Sequence, residues 1–138
     1  MPYRLLPDVA LADIAFEAES STTAGLFESS GRAITDIMVD RKTLVPRVKR
    51  KVELEAGDID RLLYDFLTEI IILKDVDSLL FKIFSVKTDG NHLSAELKGE
   101  RINRVHHKLR NDVKAVTMHM FGVRRTGKKW AATVVLDI

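Results

Sequence analysis

The sequence predicts an α+β fold in which a mostly antiparallel, in part mixed, β-sheet packs against two α-helices. Three observations lead there. From Asp58 to Leu73, the apolar residues Ile59, Leu62, Leu63, Phe66, Leu67, Ile70 and Ile71 recur at the spacing of one helical face. Several short runs elsewhere alternate apolar with polar residues, the period of a half-buried strand. Asp89-Gly90, between two such runs, carries the chemistry of a tight hairpin turn. No repeat, linker or low-complexity segment interrupts the order, so residues 1–138 read as one domain.

In chain order, Tyr3 to Leu6 is a short strand that Pro7 ends for want of an amide hydrogen. Asp13 to Glu19 alternates, with Ile14, Phe16 and Ala18 on one side. Asp13 opens that strand, where a side chain can reach out of the sheet. The hydroxyls of Ser20 to Thr23 can cap a helix from about Thr23 to Met38, with Leu26, Phe27, Ile34, Ile37 and Met38 sharing a face. Gly25 and Gly31 weaken it. Asp40 to Thr43 is a turn. Val45 to Glu55 is a strand broken early by Pro46, with a bulge expected at Arg50–Lys51, where the alternation gains a residue.

Asp58 caps the second helix, Gly57 lets the chain turn in, and Lys74 to Ser78 closes it. Leu79 to Lys87 pairs across the hairpin with a strand carrying Leu93, Ala95 and Leu97, which Gly99 ends. Glu100 to Asp112 is a basic loop or exposed strand. Val113–Arg124 and Lys129–Leu136 form a last hairpin. Its second strand is small or apolar on both faces, as in a central strand.

Composition narrows the chemistry. There are no cysteines, which excludes disulfides, thiolate metal sites and a cysteine nucleophile. No signal peptide or membrane-length apolar run is visible, so a cytoplasmic address is expected. Net charge is only +2 but unevenly spread: residues 41–51 hold six bases and no acid. Such a run reads as the wet side of an edge strand or as a basic surface facing an acidic partner. Sparse aromatics argue against a base-stacking RNA platform.

The histidines do not make a zinc site. His106 and His107 are adjacent, so on a strand they point to opposite faces, while His92 and His119 stand alone. No phosphate loop, dinucleotide fingerprint or nucleophile elbow is present. If Ile138 is the native end, Leu136-Asp137-Ile138 would put an Asp side chain beside a terminal carboxylate. Two anions so close repel unless solvent or a cation lies between them, and hard divalent cations favour such oxygen clusters. From spacing alone a hydrated, frayed end is the better explanation of the pattern.

Four segments resemble the archease family. Ala12-Asp13-Ile14-Ala15-Phe16 is similar to the stretch after its early His-Thr-Ala-Asp. Asp58-Ile59-Asp60-Arg61-Leu62-Leu63, followed by Leu67-Thr68-Glu69-Ile70, is similar to its acidic, leucine-rich helix. Gly99-Glu100 and Lys114-Ala115-Val116-Thr117-Met118-His119 are close to its Gly-Glu and Lys-Ala-Val-Thr-aromatic-His. The Leu-Asp-Ile ending completes the match. Departures are Ala10 and Leu11 for the family's His and Thr, Asp60 for Glu, Phe66 for Trp and Thr68 for Asn.

The resemblance implies an accessory protein, not an enzyme. Its partner would be an RtcB-type tRNA-splicing RNA ligase, whose guanylylation and multiple turnover it promotes and whose nucleotide specificity it broadens. Asp13, Asp137 and Ile138, the last through a terminal or backbone oxygen, would bind a divalent metal (Ca²⁺, Mg²⁺ or Mn²⁺). Lys114 and His119 would face the partner or its nucleotide. tRNA halves and GTP would be met indirectly, with no membrane and no sequence-specific nucleic-acid binding. The alternative is a general protein-binding or chaperone-like module acting through a basic surface that includes Arg47, Arg50 and Arg104.

Overall fold

Two antiparallel sheets enclose two helices in this computed structural model, which describes residues 3–6 and 13–138. Pro7 as a strand end, the Ala10 and Leu11 replacements, and Ala12 lie outside the described residues. In chain order the elements are β1 (Tyr3–Leu6), β2 (Asp13–Ser20), α1 (Thr23–Met38), β3 (Val48–Glu55), α2 (Ile59–Asp77), β4 (Leu79–Asp89), β5 (His92–Arg101), β6 (Ala115–Thr126) and β7 (Lys129–Asp137). A 3₁₀ turn at Arg41–Thr43 lies between α1 and β3. The first sheet has the order β1-β2-β7-β6 and the second β3-β5-β4. The fold is the expected α+β arrangement, with its strands divided between two sheets.

Both helices touch both sheets, and one apolar core runs through all three layers. α1 is buried around most of its circumference: Ser29, Ser30, Gly31 and Thr35 are enclosed as well as the predicted apolar face. Small side chains allow that approach. A Cβ on Gly31 would lie 2.7 Å from the Phe84 ring of β4. Thr22 caps α1 by accepting from the Gly25 amide at 3.0 Å. Tyr3 ties β1 to α1 by donating to Asp36 at 2.5 Å, and burial together with that bond pushes its phenol up to about 12.

α2 begins as expected, with the Asp58 carboxylate accepting from the Arg61 amide at 2.8 Å. It runs to Asp77, one turn past the expected end, and stops at Ser78 in the left-handed conformation (φ 54°). The extra turn is held by Lys74, which is buried and bonds to Asp75 and Asp112. Burial works to lower the pKa of this ammonium, but the two carboxylates outweigh it and the value is raised.

Three strand details differ from expectation. β3 starts at Val48, after Pro46, and its ladder with β5 runs without a bulge. Arg50 therefore shares the inner-face parity of Val48 and Val52, where a long aliphatic stem can lie over apolar surface. The register shift lies instead in β4, between Phe81 and Ile83. Gly99 does not end β5. It is the residue that lets the bulged strand pass, since a Cβ there would lie 1.9 Å from the Leu80 carbonyl oxygen.

Helix carboxylates finish two open sheet edges. Glu28 of α1 accepts from the Val86 amide of β4 at 3.0 Å, and Asp60 of α2 from the Val123 amide of β6 at 3.3 Å. The tightness at Gly99 gives a direct test. Gly99→Ala presses a methyl group into backbone that cannot swing aside, and should cost about 3 kcal/mol in urea unfolding.

Candidate functional site: an acidic corner and a basic loop pair

The β2–β7 ladder sets Asp13 directly opposite Asp137. Ala115 of β6 lies on the far side of Asp137 in the same row. The next row along this face is Ala15, Val135 and Thr117. Cβ atoms of directly opposed residues lie about 4.5–5.5 Å apart, and like charges there repel. Both aspartates are half-buried. Among the described residues, neither carboxylate has a hydrogen-bond or ion-pair partner. Ile138 follows at once, and the Lys114 amide donates to the Asp137 carbonyl at 2.8 Å. Lys114 itself is exposed. His119 is not in the row. It lies in the stretch between Thr117 and Gly122 where β6 leaves its register with β7, flanked by exposed Met118 and Met120. Met120 has a φ of 55°.

The donor set bears on which ion could sit here. Among the described residues, no three His, Cys, Asp or Glu side chains converge. The corner offers two carboxylates and main-chain oxygens, which suits a hard divalent cation that keeps part of its water shell. Thr117 adds a second observation. Its hydroxyl oxygen is buried on the same face, one row in, without a hydrogen-bond partner among the described residues. Buried hydroxyls are nearly always paired, so this one has capacity left for a water or ion. Zinc does not fit: His107 is fully engaged, His92 lies 3.2 Å from Glu53, and His106 and His119 are exposed.

A second cluster organises the basic segment after β5. Glu100 accepts from the Val45 amide at 2.9 Å, from Arg47 at 3.1 Å, and bonds to Nε2 of His107 at 2.7 Å. His107 Nδ1 accepts from the Asn103 amide at 2.9 Å, so its ring hydrogen sits on Nε2 and donates to Glu100. The Val45 amide first, then His107, pulls the Glu100 carboxyl down to about 2. The loop is then zipped to the segment after α1. Asp40 donates its amide to the Lys108 carbonyl at 2.9 Å, Arg110 to that of Met38 at 2.8 Å, and Val39 bridges Leu109.

The profile of the Archease protein family (MTH1598/TM1083) matches residues 3–138. The chain belongs to the archease family. Protein archease of Thermococcus kodakarensis is 35% identical over 132 residues, covering 92% of this chain and 93% of that one. The solution structure of Methanobacterium thermoautotrophicum Protein 1598 superposes with a TM-score of 0.87 at 33% identity, covering 99% of both chains. The crystal structure of a Thermotoga maritima archease, titled a possible chaperone, gives 0.69 at 21% identity over 96% of each chain, a likeness of fold alone.

In this archease the quoted segments gain structural places. The Asp58 segment is α2, Gly99-Glu100 supplies the close approach and the carboxylate hub, and Lys114 to His119 enters β6 beside Asp137. Among the described residues, no helix is long and apolar enough to cross a membrane. Sequence reasoning missed Thr117 and the Glu100–His107 pair. Thr117 shares the parity of Ala115, but only the register reveals that this parity faces the aspartates.

The Glu100 carboxyl sets a pH dependence. Its folded value lies below the ordinary 4.5, so its stabilising contribution is complete above that value and is lost as pH falls through about 2. Urea unfolding between those limits should show wild type losing stability steadily. Glu100→Gln should start less stable near neutrality and lose less over the same range.

Proposed function

We propose that this archease is an accessory protein of an RtcB-type tRNA-splicing RNA ligase and not an enzyme by itself. It promotes guanylylation of the ligase, sustains multiple turnover and broadens the nucleotides the ligase accepts. It works in the cytoplasm, and tRNA halves and GTP are substrates of the ligase, with which this chain is concerned only indirectly. The observation that supports this reading most is the Asp13–Asp137 couple on one face of the β2–β7 ladder, with neither carboxylate partnered among the described residues.

Asp13, Asp137 and a main-chain oxygen of Ile138 would hold a Ca²⁺, Mg²⁺ or Mn²⁺ ion. When bound, such an ion supplies positive charge that stabilises the oxygens of a transferring phosphoryl group. The chain's own part is to hold two carboxylates at fixed spacing on a rigid ladder. Thr117, whose hydroxyl is buried one row in without a partner among the described residues, would be free to hydrogen-bond a water of that ion. Lys114 brings an exposed cation beside the corner, and His119 an exposed imidazole from the adjoining irregular stretch. Both are assigned to the side that faces the ligase or its nucleotide.

A general protein-binding or chaperone-like module working through Arg47, Arg50 and Arg104 is the second reading. It is weakened by Arg47, already paired with Glu100, and by Arg50, which lies at an inner-face position of β3. Charge reversal at these residues would then matter more than any change at Asp137.

Asp13→Asn and Asp137→Asn separate the readings. Without metal, each should melt at or slightly above wild type, because about 0.5 kcal/mol of cross-strand repulsion is relieved. Wild type should gain stability on titration with divalent ions, and the variants should not. In assays with GTP, metal, tRNA halves and an RtcB-type ligase, both variants should fail to stimulate guanylylation. Normal stimulation by both would remove the metal corner from the mechanism.

A further inference from the structure

The zipped loops carry cations that the rest of the molecule does not answer. On the open faces of the sheets several cations meet acids, Lys49 and Lys98 with Glu96, Arg124 with Glu17 and Lys129 with Glu19, while Lys51 and Lys87 stand singly, without an ion-pair partner among the described residues. Around the loop pair this balance fails. Lys42, Arg104 and Lys108 are exposed, and among the described residues their side chains have no hydrogen-bond or ion-pair partner. The exposed Arg101 and Arg110 bond only to main-chain carbonyls, of Asp77 and Asp36, and keep most of their donors. Most acids nearby are committed elsewhere, Asp36 to Tyr3 and Arg41, Glu100 to its three donors and Asp112 to Lys74; Asp40, which accepts from the Lys42 amide, and Asp77 have no cationic partner among the described residues, and two carboxylates do not balance five cations.

The backbone dictates how these cations are presented. Leu109 bridges Val39 and packs on the core, so its neighbours Lys108 and Arg110 face outward. Residues two apart on an extended segment are about 6.6 Å apart, comparable to successive phosphates on a single nucleic-acid strand. Between Arg110 and Arg104 opens a cleft of about 300 Å³, lined on its apolar side by Met38, Leu80, Ile102 and Leu109. Arg104, Arg110 and Asn111 stand among its lining, and the Lys74–Asp112 pair closes one side. Its size is at the lower end for ligand sites.

We propose that this loop pair is an RNA-binding surface that grips the phosphate backbone without reading sequence. A strand would run past Lys42, Lys108, Arg110 and Arg104, with one sugar or unstacked base able to rest in the cleft. A protein partner is disfavoured because interfaces of that kind have an apolar or aromatic centre. Here the large exposed apolar residues are Val45 and Val105. A single small anion is disfavoured because the cations extend beyond the cleft along both loops. No aromatic ring lines the cleft, so affinity should be electrostatic and fall steeply with salt. The choice of RNA over other polyanions rests on the ligase reading; the placement of the cations does not.

The test is fluorescence anisotropy of a labelled, unstructured RNA across a salt series, with the full chain. Wild type should bind at about 50 mM salt, with log K falling linearly against log salt. Lys42→Glu/Arg104→Glu/Lys108→Glu should fold normally by circular dichroism and melting, bind at least about tenfold more weakly, and lose about 2 from the salt slope, at roughly 0.7 per phosphate contact. Asp13→Asn and Asp137→Asn should bind RNA as wild type does. That outcome would keep this surface separate from the acidic corner, whose own failure would appear in metal titration and ligase stimulation. The proposal is overturned if wild type does not bind, or if the triple variant keeps wild-type affinity and slope. It is equally overturned if polyglutamate competes as well as unlabelled RNA, which would assign the loops to an acidic protein, or if inorganic phosphate or a mononucleotide saturates the surface at low concentration.

Discussion

The pairing of β2 with β7 is the constraint on which the rest depends. It joins residues near the start of the chain to residues at its end, from Asp13–Asp137 to Ser20–Trp130. It places β7 in the middle of its sheet, with Ala132, Val134 and Leu136 turned to the core beneath α1 and Ala131 and Val135 buried on the other side. Contacts between positions so far apart in sequence are made at a large entropic cost and tend to form late in folding. The acidic couple therefore exists only once the chain has closed.

That dependence explains what could be read in advance. The elements were legible because each carries its own period: the 3.6-residue stripe of α2, the alternation of β2, the Asp89-Gly90 turn. Registers were not, since a period of two tells which face a side chain takes but not which strand lies opposite. Asp13 and Asp137 could thus be singled out as residues at strand ends, and the resemblance to archeases assigned them together, but the row containing Ala115 and the neighbouring Thr117 came only from the ladder. The misplaced bulge has the same origin. Arg50 breaks the apolar alternation of β3 and mimics an extra residue, whereas the true irregularity in β4 leaves its mark on the other strand as Gly99.

His107 shows the opposite case, a polar residue whose neighbours in sequence gave no hint of burial. A loop rich in Arg and Lys looks solvated throughout, yet one imidazole within it is enclosed and bonded on both nitrogens. Glu100 needs that partner because three donors converge on it, and the convergence is what lines up the segments 38–47 and 102–112. The acid hub and the free cations around it are two parts of one arrangement. The carboxylate that orders the loops is used up in doing so, and the bases outside its reach are left facing solvent.

The carboxylates of Glu28 and Asp60, each bonded to an edge-strand amide, have a consequence for molecules meeting one another. A bare β-edge is a template that any second extended chain can extend. Here two of the amides that would invite such growth are occupied by side chains lent from α1 and α2, so protection against self-association arrives with helix docking and not with strand pairing. Crowded, newly made chains are most open to one another in the interval between those two events, which favours a sequence whose helices dock early.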